Sequence, residues 1–179
     1  MARAAAFLGS INVGGNRLKM ADLRAALTDA GIAKVETVTA SGNVLFDPEG
    51  CSAAAIEGVI VKVLSDQFGL DVLVTVRSRD EVAKAIADNP FHEAGEDRFV
   101  HTHFLERQPS QAQFVALVTD HEGRGPEKLA LGERMLFIDY VDGAGNTKLT
   151  GPFIERRLEC RGTARNMRSL KRILETMEA

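Results

Sequence analysis

Tryptophan is absent from this chain and Tyr140 is its single tyrosine, which leaves nine phenylalanines as the aromatic complement. The residues that most often anchor protein interfaces and stack on RNA bases are therefore scarce. Cysteine is almost absent as well. Cys51 and Cys160 stand far apart with no C-x-x-C spacing, which excludes a disulfide scaffold and a zinc ribbon and fits two free thiols in a reducing compartment. No apolar run approaches the roughly 18 residues that a membrane span needs, and Ala4–Leu8 is too short for the apolar core of a signal peptide. A cytoplasmic setting is the expectation. Net charge is −3, which argues against a dedicated non-specific nucleic-acid binder.

What is present suits a soluble globular protein. With 179 residues, 45% of them hydrophobic, the chain can build a core without disulfides or metal. Its charge is uneven: residues 156–172 carry Arg156, Arg157, Arg161, Arg165, Arg168, Lys171 and Arg172 against Glu159, so this segment is +6 and the remainder −9. A local basic patch on an acidic chain suits a small anion better than a long phosphate track.

Hydrophobic patterning gives an element order. Ala4–Leu8 reads as a short buried strand, followed by a helix bearing Met20, Leu23, Leu27 and Ala30 and stopped by Gly31. Val35–Ala40 and Val44–Asp47 form a hairpin about Ser41-Gly42-Asn43. Ser52 caps a second helix with Ile56, Val59, Ile60, Val63 and Leu64 on one stripe, Gly69 ends it, and a strand begins at Val72. The order βαββαβ is the ferredoxin-like arrangement. Further on, Ser78 with Glu81 and Ser110 with Gln113 predict capping boxes, Phe99–Leu105 a strand, and Glu127–Leu131 with Arg134–Tyr140 a second hairpin turning at Gly132-Glu133. Met167, Leu170, Leu174 and Met177 predict an amphipathic terminal helix with Thr163 at its start as N-cap. The expected fold class is α+β, two ferredoxin-like halves with antiparallel or mixed sheets and helices on one face. The expected divisions are residues 1–88, a first ferredoxin-like subdomain, and 89–179, a second α/β subdomain with the C-terminal helix. No sequence repeat is evident between them.

Three motifs carry possible chemistry. Asn12-Val13-Gly14-Gly15-Asn16-Arg17 lies at a strand-to-helix junction, where glycine backbone amides can form an anion-binding nest and Arg17 and Lys19 add charge. The same glycines also suit a plain strand–helix turn. Ser41 and Asn43 flank a hairpin glycine and serve the turn first. Arg165 and Asn166, placed in the first turn of the last helix, would meet an anion at its unpaired amides, or Arg165 would join a surface ion pair. Other chemistry is not supported. G-x-G-x-x-G and the Walker A spacing are both missing, although Asp142–Lys148 is glycine-bearing. His101 and His103 share a strand face and read as partly exposed strand histidines; no spacing recruits further ligands, so no metal and no cofactor are expected.

Leu8-Gly9-Ser10-Ile11-Asn12-Val13-Gly14-Gly15-Asn16 resembles the opening motif of a family of uncharacterised bacterial proteins, domain of unknown function 1697, in which R-G-I-N-V-G-G precedes a K-M helix start; here Lys19-Met20 stand at that start. Ser41-Gly42-Asn43-Val44-Leu45-Phe46 is similar to the family's Q-S-G-N-V-x-F hairpin, with Ala40 in the glutamine place. Asn89-Pro90-Phe91 and Thr163-Ala164-Arg165-Asn166 resemble two later landmarks. Gly9 stands where the family often has arginine and Met167 where it often has tryptophan, which removes a charge and a packing group from the two motifs. The resemblance implies the fold and a cytoplasmic setting, and brings no activity and no reaction with it.

The functional expectation is binding of a small phosphate- or carboxylate-bearing ligand by Asn12, Gly14, Gly15, Asn16, Arg17, Ser41, Asn43, Arg165 and Asn166. A nucleic-acid-binding module sharing the βαββαβ topology is the second reading, although the aromatic-rich signature of RNA-recognition motifs is missing. A ligand-free interaction scaffold is the third. Nothing in the sequence decides whether the chain is an enzyme.

Overall fold

The structure, a computed structural model, describes residues 3–12, 15 and 17–179. Residues 1–83 with 173–179 form one compact unit and residues 84–172 another.

The first unit runs β1 (Ala4–Leu8), α1 (Met20–Asp29), β2 (Ala33–Val38), β3 (Asn43–Asp47), α2 (Ala53–Phe68) and β4 (Val74–Ser78), with the four strands antiparallel in the order β2-β3-β1-β4. Alternation decides which face receives the helices. Ala4, Ala6 and Leu8 of β1, with Val44, Phe46, Val74 and Val76, meet Leu23 and Leu27 of α1 and Ile56, Ile60 and Leu64 of α2 in one core. The other face is buried too, through Ala5, Phe7, Leu45, Thr75 and Arg77. Local chemistry sets the helix ends. Ser52 Oγ accepts the Ala55 amide at 3.2 Å to open α2, and Gly69 at φ 63° closes it.

Strand β4 passes directly into α3 (Arg79–Ala87), where Ser78 and Glu81 exchange the two hydrogen bonds of a capping box.

The second unit contains β5 (Val100–Leu105), α4 (Gln111–His121), β6 (Lys128–Gly132), β7 (Met135–Asp139), α5 (Gly151–Leu158) and β8 (Gly162–Asn166), antiparallel in the order β6-β7-β5-β8. Leu105, Leu136 and Ile138 pack with Leu117 of α4 and Phe153, Ile154 and Leu158 of α5. The Ser110–Gln113 capping box forms as its spacing predicts. Helix α6 (Met167–Glu178) follows β8. Both units are thus complete βαββαβ sheets of the same topology, the fold class expected from the element order.

Three local expectations are corrected. Thr163-Ala164-Arg165-Asn166 is strand β8 rather than a helix start; it pairs with β5, and its alternation buries Thr163 and Arg165. Thr163 therefore caps nothing, and Asn166 takes that place, its Oδ1 accepting the Ser169 amide at 2.9 Å. The second hairpin turns at Glu133-Arg134, with Arg134 at φ 52°; Gly132 belongs to β6, where an added Cβ would stand 2.7 Å from Phe137 Cε2. In α6 the buried stripe is Met167, Leu170, Ile173 and Met177, with Leu174 half-buried at its edge.

Register exposes a repeat that composition hides. Phe7-Leu8 of β1 faces Thr75 and Val74 of β4, and Phe104-Leu105 of β5 faces Thr163 and Gly162 of β8. Thr75-Val76-Arg77-Ser78 and Thr163-Ala164-Arg165-Asn166 thus hold equivalent places, each ending in the cap of the next helix. Asp47 and Asp139 also correspond. Both are buried, and each accepts the amide two residues on, from Glu49 at 3.1 Å and Val141 at 2.9 Å, with both recipients at positive φ.

Candidate functional site

The first two motifs meet at one end of the first sheet. Asn12 sits in the left-handed region at φ 56°, where asparagine is among the better tolerated residues. Its side chain donates through Nδ2 to Ala40 O at 2.8 Å and accepts the Leu18 amide on Oδ1 at 2.9 Å. One amide group therefore closes the loop before α1 and ties it to the β2–β3 turn. Gly42 completes that junction: its φ is 81°, and an added Cβ would lie 3.1 Å from Leu8 Cβ and 3.2 Å from Ile11 Cβ. The amide of Leu8 donates to Gly42 O at 2.9 Å.

Among the residues expected to touch a ligand, Gly15, Arg17 and Ser41 are exposed here, as is Lys19. A Cβ on Gly15 would meet nothing within 4 Å among the described residues. Gly14 and Asn16 lie outside the described residues. Asn43 is fully buried, donating to Val38 O at 3.2 Å and Thr39 Oγ1 at 3.1 Å, so its amide serves the turn. The hydroxyls of Ser41 and Thr39 lie 3.0 Å apart. Thr39, not singled out in the sequence, joins Ser41 and Asn43 in this turn; its φ of 62° is unusual for a β-branched residue and leaves no trace in composition.

Arg165 and Asn166 belong to the second unit. The Arg165 guanidinium is buried and donates to Thr163 Oγ1 and Ala164 O, both at 2.8 Å, and desolvation pushes its pKa down to about 10. Asn166 is half-buried and spends its side chain on capping α6. Arg77, which motif reading passed over, is the equivalent buried arginine of the first unit; the shared Thr-x-Arg spacing was its available signal.

Three cations of the basic run from 156 to 172 are held in ion pairs. Arg157 pairs with Asp120 at 3.1 Å, Arg161 with Glu106 at 2.9 Å and Lys171 with Asp97 at 2.8 Å. Acidic residues distant in sequence thus offset much of a charge concentrated in sequence.

The strand histidines differ from expectation in one respect. His101 is half-buried, its Nδ1 3.1 Å from Phe99 O, but His103 is buried, with Nε2 3.4 Å from the Tyr140 hydroxyl. Burial, with His101 adjacent, pushes His103 down to about 3, while burial and the charge of Glu127 push Tyr140 up to about 12. Both are neutral at pH 7, and the imidazole tautomer sets which of the two donates. Among the described residues no three His, Cys, Asp or Glu groups converge for a metal, and no helix is long and apolar enough to cross a membrane.

Comparison with known proteins supports the architecture. A conserved bacterial protein, SP0830 from Streptococcus pneumoniae, has a solved structure similar to this one, with a TM-score of 0.74 and 23% sequence identity over 100% of this chain and 99% of that one. No functionally curated protein matches the chain. The model of a family described as a protein of unknown function, DUF1697, matches residues 1–137, a span that includes the Asn12 loop and the Ser41-Gly42-Asn43 turn and stops before Arg165. The chain belongs to the DUF1697 family.

Proposed function

We propose that this protein binds a small phosphate- or carboxylate-bearing ligand at the loop preceding α1, against the β2–β3 turn. The observation that carries this reading is the Asn12 clamp: one side chain holds both segments, so that Arg17, Lys19 and the Ser41 hydroxyl stand exposed on a braced backbone. Bracing lowers the ordering cost that a ligand would otherwise meet. Two exposed cations suit a compact anion. Asn43 and Arg165 act as buried supports of their own sheets in this reading rather than as ligand contacts.

The test is thermal unfolding in the presence of inorganic phosphate, sulfate, citrate and a nucleoside monophosphate at constant ionic strength. A ligand at about 100 times its Kd stabilises the native state by about 2.7 kcal/mol. At least one of these anions is expected to raise the Tm, with the shift reduced in Arg17→Ala and Lys19→Ala. Absence of any anion-specific shift overturns the reading.

A further inference from the structure

The second unit holds a buried polar cluster with no part in that reading. His121, the last residue of α4, and Glu127, just before β6, have buried side chains with Nε2 and Oε2 3.0 Å apart. The other carboxylate oxygen, Oε1, accepts the Thr147 hydroxyl, and Thr147 Oγ1 in turn accepts the Leu149 amide at 3.0 Å. Leu149 is buried, and the next residue, Thr150, caps α5. One carboxylate thus connects the end of α4, the start of β6 and the final residues of the glycine-bearing loop 142–148.

The contact with His121 is not a directed hydrogen bond, and neither ring nitrogen has a hydrogen-bond partner among the described residues. The directed bond to Glu127 comes from Thr147. Charged and titratable groups surround the pair. Asp120 on α4 is ion-paired with Arg157 on α5, and Arg157 and Arg124 both stack on Phe153. Tyr140, after β7, feels the Glu127 charge, and Lys128 of β6 is exposed. Burial acts to raise the Glu127 pKa, but the Thr147 hydroxyl, its own backbone amide and His121 outweigh burial and hold it below the ordinary carboxylate range.

We propose that Glu127 is a charge-dependent latch on loop 142–148: the carboxylate docks the loop through Thr147, and a proton on the carboxyl group releases it. A hydrogen bond to a charged acceptor is about twice as strong as one between neutral groups, so protonation removes the stronger part of the anchor. The sign follows from the lowered pKa. Docking is fully supported above the released group's ordinary value of 4.5 and weakens as pH falls through the docked group's lower value.

Hydrogen exchange of the full chain, corrected for intrinsic rates at each pH, tests this at Leu149, whose amide donates to Thr147 Oγ1. In a His103→Gln background, which removes the acid-side loss of global stability expected from that buried imidazole, protection there is expected to fall several-fold between pH 6 and pH 3.5 while β5 and β7 amides keep theirs. Glu127→Gln should show the low protection already at pH 6 and no step. Thr147→Val should lose the step and Thr147→Ser retain it, which decides the matter if Glu127→Gln does not fold. In that background, a profile with no step, a step shared equally by β5 and β7, undiminished protection in Glu127→Gln, or a step that persists in Thr147→Val overturns the latch.

Discussion

Arg77 and Arg165 occupy the same position in their respective sheets. Each is the fourth residue of the last strand, two residues after a buried threonine that faces a phenylalanine of the central strand, and each is itself buried. Arg77 faces Ala5 and Arg165 faces Thr102 across the ladder. A guanidinium in the same buried place in both units, with the helix cap next in line, is more than shared topology requires. It marks the two units as versions of one structural design, and it shows that Arg165 is buried where its place in a basic run suggests exposure.

Asn166 provides a direct check on the corrected boundary of α6. Replacing an N-cap asparagine by alanine removes the acceptor for one orphan amide and costs about 0.5–2 kcal/mol. Asn166→Ala should lose about that much in urea unfolding while leaving any anion-induced Tm shift unchanged. Loss of the shift with unchanged stability would return Asn166 to the ligand site.

Helix α6 offers a second contrast. Leu170 is fully buried and Leu174 only half-buried. Leu170→Ala is expected to destabilise by about 2–5 kcal/mol, with Leu174→Ala costing clearly less. Equal costs would mean that the helix is rotated about its axis, with Leu174 as deeply packed as Leu170.

Glycine substitutions should separate required from incidental positions. Gly42→Ala meets both a left-handed φ and the close approach of Leu8 and Ile11, and should cost about 2 kcal/mol or more. Gly58 is exposed in the interior of α2, and an alanine methyl there would have nothing within 4 Å, so Gly58→Ala should stabilise by roughly 0.5–1 kcal/mol. Chemical denaturation of both variants measures the difference.

Burial of neutral His103 predicts an acid-side loss of stability. With the folded pKa at about 3 and the ordinary value 6.5, the unfolded chain takes up a proton that the native state refuses. This contribution is complete above 6.5 and is lost progressively as pH falls toward 3. Its slope approaches about 1.4 kcal/mol per pH unit. Between pH 7 and pH 5 the wild type should therefore lose about 1–2 kcal/mol more than His103→Gln in urea unfolding. Parallel pH profiles would show that His103 is protonated in the native state.

Much of the fold was legible because it is local. The caps at Ser52, Ser78 and Ser110, the stop at Gly69 and the Ser41-Gly42-Asn43 turn each depend on residues within a few positions of one another, and each forms where its spacing places it. The helical stripes of α1 and α2 were readable in part from their own periodicity: Leu23, Leu27, Ile56, Ile60, Val63 and Leu64 are buried as expected, whereas Ala30 and Val59, placed on the same stripes, are exposed. Tertiary structure decided the rest. Gly162–Asn166 becomes a strand through its ladder with β5, a pairing that five residues without a large apolar side chain do not announce. Arg157, Arg161 and Lys171 look like a cationic surface until acids from other segments fold against them. Asn12 gains its role when Ala40, far along the chain, comes within reach of its amide. Local hydrogen bonding and periodicity are written in neighbouring residues, whereas burial, strand pairing and charge compensation depend on partners that folding alone brings together.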